Sequence, residues 1–441
     1  MTPAPAPHAP WLSQSSRWCR DGKTVLHNGP MRTVAEHRAV VAALLTRSTA
    51  AAGLPLARAA GRPLAADLVA GRALPAFDNS AMDGYAVRAQ DVATAAEDAP
   101  VALPVAADIP AGRTDTPPLA PGTAHRIMTG SPVPAGADAI VPVEDTEPLD
   151  GPPSRSPRAH VAPGRVAIRR APTAGRHIRR AGSDVTPGAV VLEAGTALGA
   201  AQLGLLSALG APKATVVPPL KVLVLSTGSE LVEPGRDLLP GQIHESNGIM
   251  LAAAAREAGA VAEQAHFVAD DADAFLSVLR SADADLVLTS GGVSMGAYEV
   301  VKDALAGRGV EFVRVAMQPG KPQGAGIVDG TPVITLPGNP VSSLVSFEVF
   351  VRPALRAAMG FRDTERPRRR AILSEPLTAP AGKTQFRRGV FDRDAGTVTT
   401  VGPPGSHHLR WMAASNCLLE IAADTTALDA GAEVTVWDLA V

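Results

Sequence analysis

Three times between residues 220 and 345 a short apolar strand runs directly into a turn of glycine, hydroxyl and amide residues. Lys221–Leu225 leads into Ser226-Thr227-Gly228-Ser229-Glu230, and Asp285–Leu288 leads into Thr289-Ser290-Gly291-Gly292-Val293-Ser294. Pro332–Leu336 leads into Pro337-Gly338-Asn339-Pro340. In an open parallel sheet, ligands bind outside the carboxyl ends of the strands, where such loops converge. Glycine lets backbone approach a phosphate, and free N–H groups at a helix start present partial positive charge. One such turn says little; three in one strand-and-helix unit mark a cleft for an anionic ligand.

The surrounding pattern supplies the sheet. Helical spacing over Ile249–Ala258, Ala272–Ser281 and Glu299–Ala306 alternates with strands Val222–Leu225, Leu286–Thr289 and Glu311–Met317. Alternation of this kind predicts a parallel sheet covered on both faces. Asn339 is placed to cap the last helix with Pro340 at its first position, Gly360 to close it and Pro353 to kink it.

At 441 residues the chain exceeds one ordinary core, so about two to four domains are expected. Residues 1–30, rich in proline and alanine, read as a disordered leader. Thr33-Val34-Ala35-Glu36 has capping-box spacing ahead of Val40, Val41, Leu44 and Leu45. From Leu74 to about Pro163, β-branched runs such as Ala139–Val143 are cut by Pro/Gly turns. Gly182–Leu198 reads as hairpins, and Ala200–Leu209 as a helix ended by Gly210 and Pro212. Beyond about Arg368, Val398–Val401, Leu418–Ile421 and Glu433–Trp437 read as strands of a compact barrel or sandwich. The expected division is 31–72 with 164–217, an inserted β-rich domain 73–163, an α/β domain 218–362 and a β domain 367–441.

Composition narrows the function classes. A net charge of −2 gives no global attraction to nucleic acid or an acidic membrane. The arginines at 165, 169, 170, 176, 179 and 180 lack interleaved aromatics and read as a solvated face. Cys19 and Cys417 are the only cysteines and His numbers ten, which disfavours a disulfide scaffold or a zinc enzyme and suits a reducing cytosol. No apolar stretch reaches membrane-spanning length.

Two further segments concentrate polar groups. Phe77-Asp78-Asn79-Ser80-Ala81-Met82-Asp83-Gly84 suits either a ligand or a turn held by Asx contacts. Arg126-Ile127-Met128-Thr129-Gly130-Ser131 suits an anion site or a plain turn. Glu230, Asp270 and Glu299 each fall at a strand end or just beyond a glycine turn. Hard oxygen ligands beside phosphates are what Mg²⁺ requires, although helix-dipole pairing explains Glu230 and Glu299 singly. Gln318-Pro319-Gly320-Lys321-Pro322 fails the Walker spacing, yet Lys321 at a strand end can still hold an oxyanion. His407 and His408, if in a strand, point to opposite faces.

Taken in order, these strings resemble the molybdopterin molybdenumtransferase family, the MoeA proteins and the E domain of gephyrin. The resemblance rests on residues 77–87, 126–134, 226–231, 290–294, 319–322 and 336–342, with Gln385-Phe386-Arg387-Arg388-Gly389 and Gly405-Ser406-His407. It implies four domains: an extended helical domain, a β-rich insertion, a three-layer α/β nucleotide-type domain and a C-terminal β-barrel. It implies a cytoplasmic transferase that inserts molybdate into adenylated molybdopterin with Mg²⁺, releasing AMP. It also implies a homodimer whose site joins the α/β domain of one subunit to the insertion of the other, with molybdopterin adenylyltransferase and molybdoenzyme chaperones as further partners.

Carried over by position, the catalytic set is Asp78, Thr129, Asp184, Glu230, Asp270 and Glu299, the last three also as metal ligands. The substrate-binding set is Ser226, Thr227, Gly228, Ser290, Gly291, Gly292, Ser294, Lys321, Pro337, Asn339, Pro340, Arg388 and Ser406, with Lys321, Arg388 and Ser406 handling the oxyanion. Three positions depart from the family pattern: Arg314 and Gln318 replace lysines, the second with loss of a cation, and Glu299 replaces an aspartate. The competing readings are the sister adenylation reaction, disfavoured by the flanking domains, and a scaffold, for which no binding segment is evident.

Overall fold

The computed structural model describes residues 31–150, 164–267, 272–292 and 300–440. Contacts divide the chain into two compact units. One holds residues up to 45 with 221–354 and 365–441, and the other holds 46–220 with 355–364.

In the first unit a six-stranded sheet carries strands β1 (Lys221–Thr227), β2 (Val261–Phe267), β3 (Leu286–Ser290), β4 (Val310–Arg314), β5 (Pro322–Val328) and β6 (Thr331–Leu336) in the order β2-β1-β3-β6-β5-β4. The first four in that order are parallel, as the alternation predicts, but β5 runs antiparallel to both its neighbours, β6 and β4. The departure has a local cause. Asp329 and Gly330 both adopt positive φ, at 49° and 87°, the two-residue hairpin geometry that an Asp-Gly pair favours.

Both faces of the sheet are sealed. Leu225, Val287 and Val333 face a cluster with Phe275, Leu276 and Leu279 of helix α2 (Ala272–Ser281) and with Val301 and Leu305 of helix α3 (Val300–Leu305). The alternate positions Val224, Leu288 and Ile334 are also fully buried. Removing a side chain such as Phe275 from this packing would cost about 3–5 kcal/mol.

The helix predicted after β6 begins at Pro340, with Asn339 in the N-cap position, but no side-chain cap forms there. Asn339 Nδ2 instead donates to Ser406 Oγ at 3.0 Å. A π-helical stretch, Phe347–Val351, lies just ahead of Pro353, and the helix continues over Arg352–Ala358. The Thr33–Glu36 capping box is present. Its helix, Val34–Leu44, groups with the α/β unit through Arg38 Nε on Val349 O at 2.8 Å and His37 edge-on to Phe350, whereas the sequence pattern groups it with residues 46–72.

Toward the C-terminus, strands Arg368–Leu373, Thr384–Asp392, Thr397–Thr400, Cys417–Ile421 and Glu433–Asp438 pair in a closed ring, because Thr384–Asp392 pairs with both Thr397–Thr400 and Cys417–Ile421. This is the expected barrel, filled by Leu373, Phe391, Cys417, Leu419 and Val436. The short Met317–Gln318 strand joins its edge, pairing in parallel with Thr384 and Gln385.

The second unit contains a six-stranded sheet in which Gly84–Val87, Ala124–Ile127 and Val101–Ile109 are inner strands. Arg165–Ile168 is inner as well, although the expected boundary at 163 assigns it elsewhere. Val190–Leu192, read as part of a local hairpin, pairs with Leu68–Val69 instead. The Ala200–Ala208 helix packs Leu206 against Ala59, Leu64, Ala214 and Val216.

Candidate active-site cleft

The carboxyl ends of β1, β3 and β6 open into one cleft of about 1000 Å³, walled by residues 226–228, 290–292 and 337–340. Helix α1 (Asn247–Glu257) begins on its border, and Lys321, Lys383, Ser406 and His407 enter from β5 and the barrel. The close approach of the loops depends on missing side chains. Gly291 has φ +96°, and a Cβ there would stand 2.6 Å from Thr227 O. Gly338 packs 3.4 Å from Gly291 Cα on the same criterion.

Beneath the loops lies a network that the sequence reading missed. Glu245, 3 % exposed, accepts from Ser226 Oγ at 2.9 Å, Gly248 N at 2.6 Å and Gln264 Nε2 at 2.9 Å. Ser226 is thereby committed to the wall. Asn247 Nδ2 donates to Ser290 Oγ and Gly338 O at 2.8 and 2.7 Å, tying two loops together. Asn247 Oδ1 and Thr227 Oγ1 are buried without a partner, a state that costs free energy unless a ligand or water completes it. The polar run Glu245-Ser246-Asn247-Gly248 ahead of an alanine-rich helix was the available signal.

The cleft's electrostatics are set by cations left free. Lys321 is held below the ordinary lysine value by loss of solvent, then by Arg314 and Lys383. Among the described residues, no carboxylate forms an ion pair with Lys321, Arg314 or Lys383. Like charges gathered without acidic partners await an anion. Lys383, absent from the sequence-predicted set, is part of this group.

Most predicted binding residues converge here: Ser226, Thr227, Gly228, Glu230, Ser290, Gly291, Gly292, Lys321, Pro337, Asn339, Pro340 and Ser406 all line the cleft. Arg388 does not. It is 5 % exposed, and its guanidinium donates to the carbonyls of Pro403, Gly405 and His408. A buried cation needs acceptors on every side, and the 403–408 loop supplies them, so Arg388 anchors the loop that presents Ser406. His407 and His408 lie ring to ring at 4.0 Å ahead of the Leu409–Ala413 helix, not on opposite faces of a strand.

Asp270, Ser294 and Glu299 fall outside the described residues. Of the proposed Mg²⁺ ligands only Glu230 is described; its exposed carboxylate reaches back over Gly228. No group of three His, Cys, Asp or Glu side chains suited to a metal occurs among the described residues. The oxygen donor of Glu230 is of the type Mg²⁺ accepts.

Asp78, Thr129 and Asp184 belong to the other unit. Asp78 accepts from Arg180 Nη1 at 2.6 Å and Ala181 N at 2.8 Å. Thr129 donates through N and Oγ1 to Asp83 Oδ1 at 2.6 and 2.7 Å. The two segments run side by side, with Val133 N on Asp78 O at 3.0 Å. Asp184 is exposed on the 181–185 segment that runs beside residues 74–78, its N–H donating to Leu74 O.

Three family models match this chain in succession: the MoeA N-terminal region (domain I and II) over residues 32–210, a probable molybdopterin binding domain over 223–357, and the MoeA C-terminal region (domain IV) over 370–439. The chain belongs to the MoeA family. It is 55% identical over 418 residues to Molybdopterin molybdenumtransferase 2 of Mycobacterium tuberculosis (strain ATCC 25618 / H37Rv), covering 93% of this chain and 100% of the relative. Molybdopterin molybdenumtransferase of Haemophilus influenzae (strain ATCC 51907 / DSM 11121 / KW20 / Rd) is 34% identical over 390 residues, covering 87% and 92%. The crystal structure of the molybdopterin biosynthesis MoeA protein from Pyrococcus horikoshii OT3 superposes with a TM-score of 0.77 at 28% identity, covering 93% of this chain and 100% of that one.

Proposed function

We propose that this MoeA-family chain is a molybdopterin molybdenumtransferase, a transferase of molybdenum cofactor biosynthesis. Its substrates are molybdate and adenylated molybdopterin, and its products are the molybdenum cofactor and AMP. The observation that carries this reading is the cleft itself. Three strand-end loops with Lys321 and Lys383, neither ion-paired with a described carboxylate, face a space of about 1000 Å³, large enough for a pterin with its phosphates and an oxyanion.

The residues divide the work. The glycine turns bring backbone against phosphate, and Asn247 Oδ1 and Thr227 Oγ1 offer unused acceptor and donor capacity in the wall. Lys321 with its neighbours offsets the charge of molybdate, a tetrahedral dianion. When the dithiolene replaces one molybdate oxygen, the two thiol protons leave with that oxygen as water. Opening of the phosphoanhydride by water releases AMP and leaves the pterin phosphate in place. Glu230, with Asp270 and Glu299, would hold Mg²⁺, whose role is to neutralise the phosphate oxygens.

The reading includes a homodimer, a cytoplasmic location and the four-domain division expected from the sequence, with a three-layer α/β domain. Asp78, Thr129 and Asp184 then serve the cleft of the partner subunit. Molybdopterin adenylyltransferase and molybdoenzyme chaperones stand on either side of the reaction. Among the described residues no helix is long and apolar enough to cross a membrane.

The test is AMP release from adenylated molybdopterin by the full-length protein, with and without molybdate. Molybdate-dependent release supports the assignment, and release that ignores molybdate overturns it. Mixing inactive Asp78→Ala with inactive Glu230→Ala should restore part of the rate after subunit exchange. No recovery would mean that each site is built within one chain.

A further inference from the structure

Position 318 lacks the cation that the oxyanion seat calls for, and the structure shows a cation beside it from another part of the chain. Gln318 lines the cleft as the second residue of the short strand that pairs in parallel with the barrel edge. Its partner across that ladder is Gln385. Lys383 sits in the bend immediately before that barrel strand begins at Thr384. Thr384 N fixes the approach by donating to Ala316 O at 2.9 Å. Lys383 accordingly lines the same cleft as Gln318 and Lys321. It lies close enough to Lys321 for the two charges to interact, and no described carboxylate neutralises it.

We propose that Lys383, delivered by the C-terminal barrel, supplies the second cation of the oxyanion seat and replaces the charge that Gln318 lacks. The inference rests on the molybdenumtransferase reading and adds to it a specificity-determining residue for the tetrahedral dianion. Lys321, just before β5, and Lys383, just before the barrel strand, then hold the dianion between them. Gln318 serves as a neutral donor whose short side chain leaves room for the longer lysine. A lysine at 318 would add a third like charge to a pair already repelling each other.

The inference makes positions 318 and 383 interchangeable. In the full-length protein, Lys383→Gln should raise the molybdate concentration for half-maximal AMP release by about tenfold or more, the scale of losing a charge-assisted hydrogen bond. The half-saturating concentration of adenylated molybdopterin should stay within about twofold of wild type. Gln318→Lys alone adds a third like charge to the pair and should shift the molybdate requirement by less than Lys383→Gln does. Gln318→Lys combined with Lys383→Gln should recover most of the loss, and Lys383→Arg should resemble wild type. Equilibrium dialysis of molybdate against each variant, without pterin, should give the same order, and thermal melts should show all four folded. Unchanged molybdate binding in Lys383→Gln, alongside molybdate-dependent turnover by wild type, would overturn the inference. So would a loss confined to pterin saturation, or a double variant no better than Lys383→Gln. Absence of molybdate dependence in wild type would instead overturn the underlying assignment.

Discussion

The strand-end cleft and the Asp78–Thr129 segment carry similar residue types, yet they are wired in opposite ways. In the cleft, Lys321 and Lys383 form no ion pair with any described carboxylate, and Asn247 Oδ1 and Thr227 Oγ1 are buried without a partner. In the other segment, Asp78 is already paired with Arg180 and the Ala181 N–H, and Thr129 already gives both donors to Asp83. Groups that are free within the fold cost stability and are retained where a ligand completes them. Groups that satisfy one another hold a shape. The contrast marks the cleft as the receiving surface and the second segment as a preformed edge whose geometry is set before any ligand arrives.

The largest expected effect comes from disturbing backbone shape in the cleft. Gly291→Val would place a branched side chain at φ +96°, with its Cβ 2.6 Å from Thr227 O. The strained backbone alone should cost about 1–3 kcal/mol, and a shift of about 1 Å in the loop is enough for roughly a hundredfold loss of rate. AMP release should fall by at least about that factor while the melting temperature drops only by several degrees. Retained turnover would show that charge, and not close loop approach, defines the site.

Where the chain repeats strand, glycine turn and helix, the sequence was legible. The three loops, the parallel core of the sheet and the Thr33 capping box follow from local chemistry that acts within a few residues. The reversed strand β5 was missed although Asp329-Gly330 advertised its turn, because Gly324 and Gly326 dilute the β-branched signal. Lys383 and Glu245 were missed for another reason. Each becomes part of the site only through a long-range pairing, Gln318 with Gln385 and Ser226 with Glu245. Arg388 shows the reverse: its motif position suggested ligand contact, and only its burial against three carbonyls reveals an anchoring role.

That role yields a middle-sized effect and sharpens the contrast between free and committed groups. Arg388→Ala removes donors to Pro403, Gly405 and His408. Hydrogen bonds from a charged donor contribute about 1.5–3 kcal/mol, so the melt should shift clearly downward. Turnover should fall because Ser406 loses its fixed position, while the molybdate concentration for half-maximal rate stays near wild type. A marked rise in that concentration would return Arg388 to direct contact with the oxyanion.

The smallest effect tests the committed segment. The Ala181 N–H and then Arg180 hold the Asp78 carboxyl below its ordinary value of 3.8. A depressed folded-state value means that the ionised form is favoured by folding. Its contribution is complete above the unfolded value and is lost as pH falls through the folded one. The window therefore opens near pH 3.8 and lies below it. Because the Asp78 and Arg180 side chains are 37 % and 57 % exposed, solvent screening should keep the contribution to well under about 1 kcal/mol. Asp78→Asn should accordingly destabilise the protein slightly at neutral pH, and its melting temperature should converge with wild type as pH drops below 4. Urea melts of the two proteins between pH 3 and 6 would show this as a narrowing gap. A gap that stays constant would mean that Asp78 contributes through neutral hydrogen bonding and turn geometry, with its charge left available to a ligand, and the contrast with the cleft would fail at this residue.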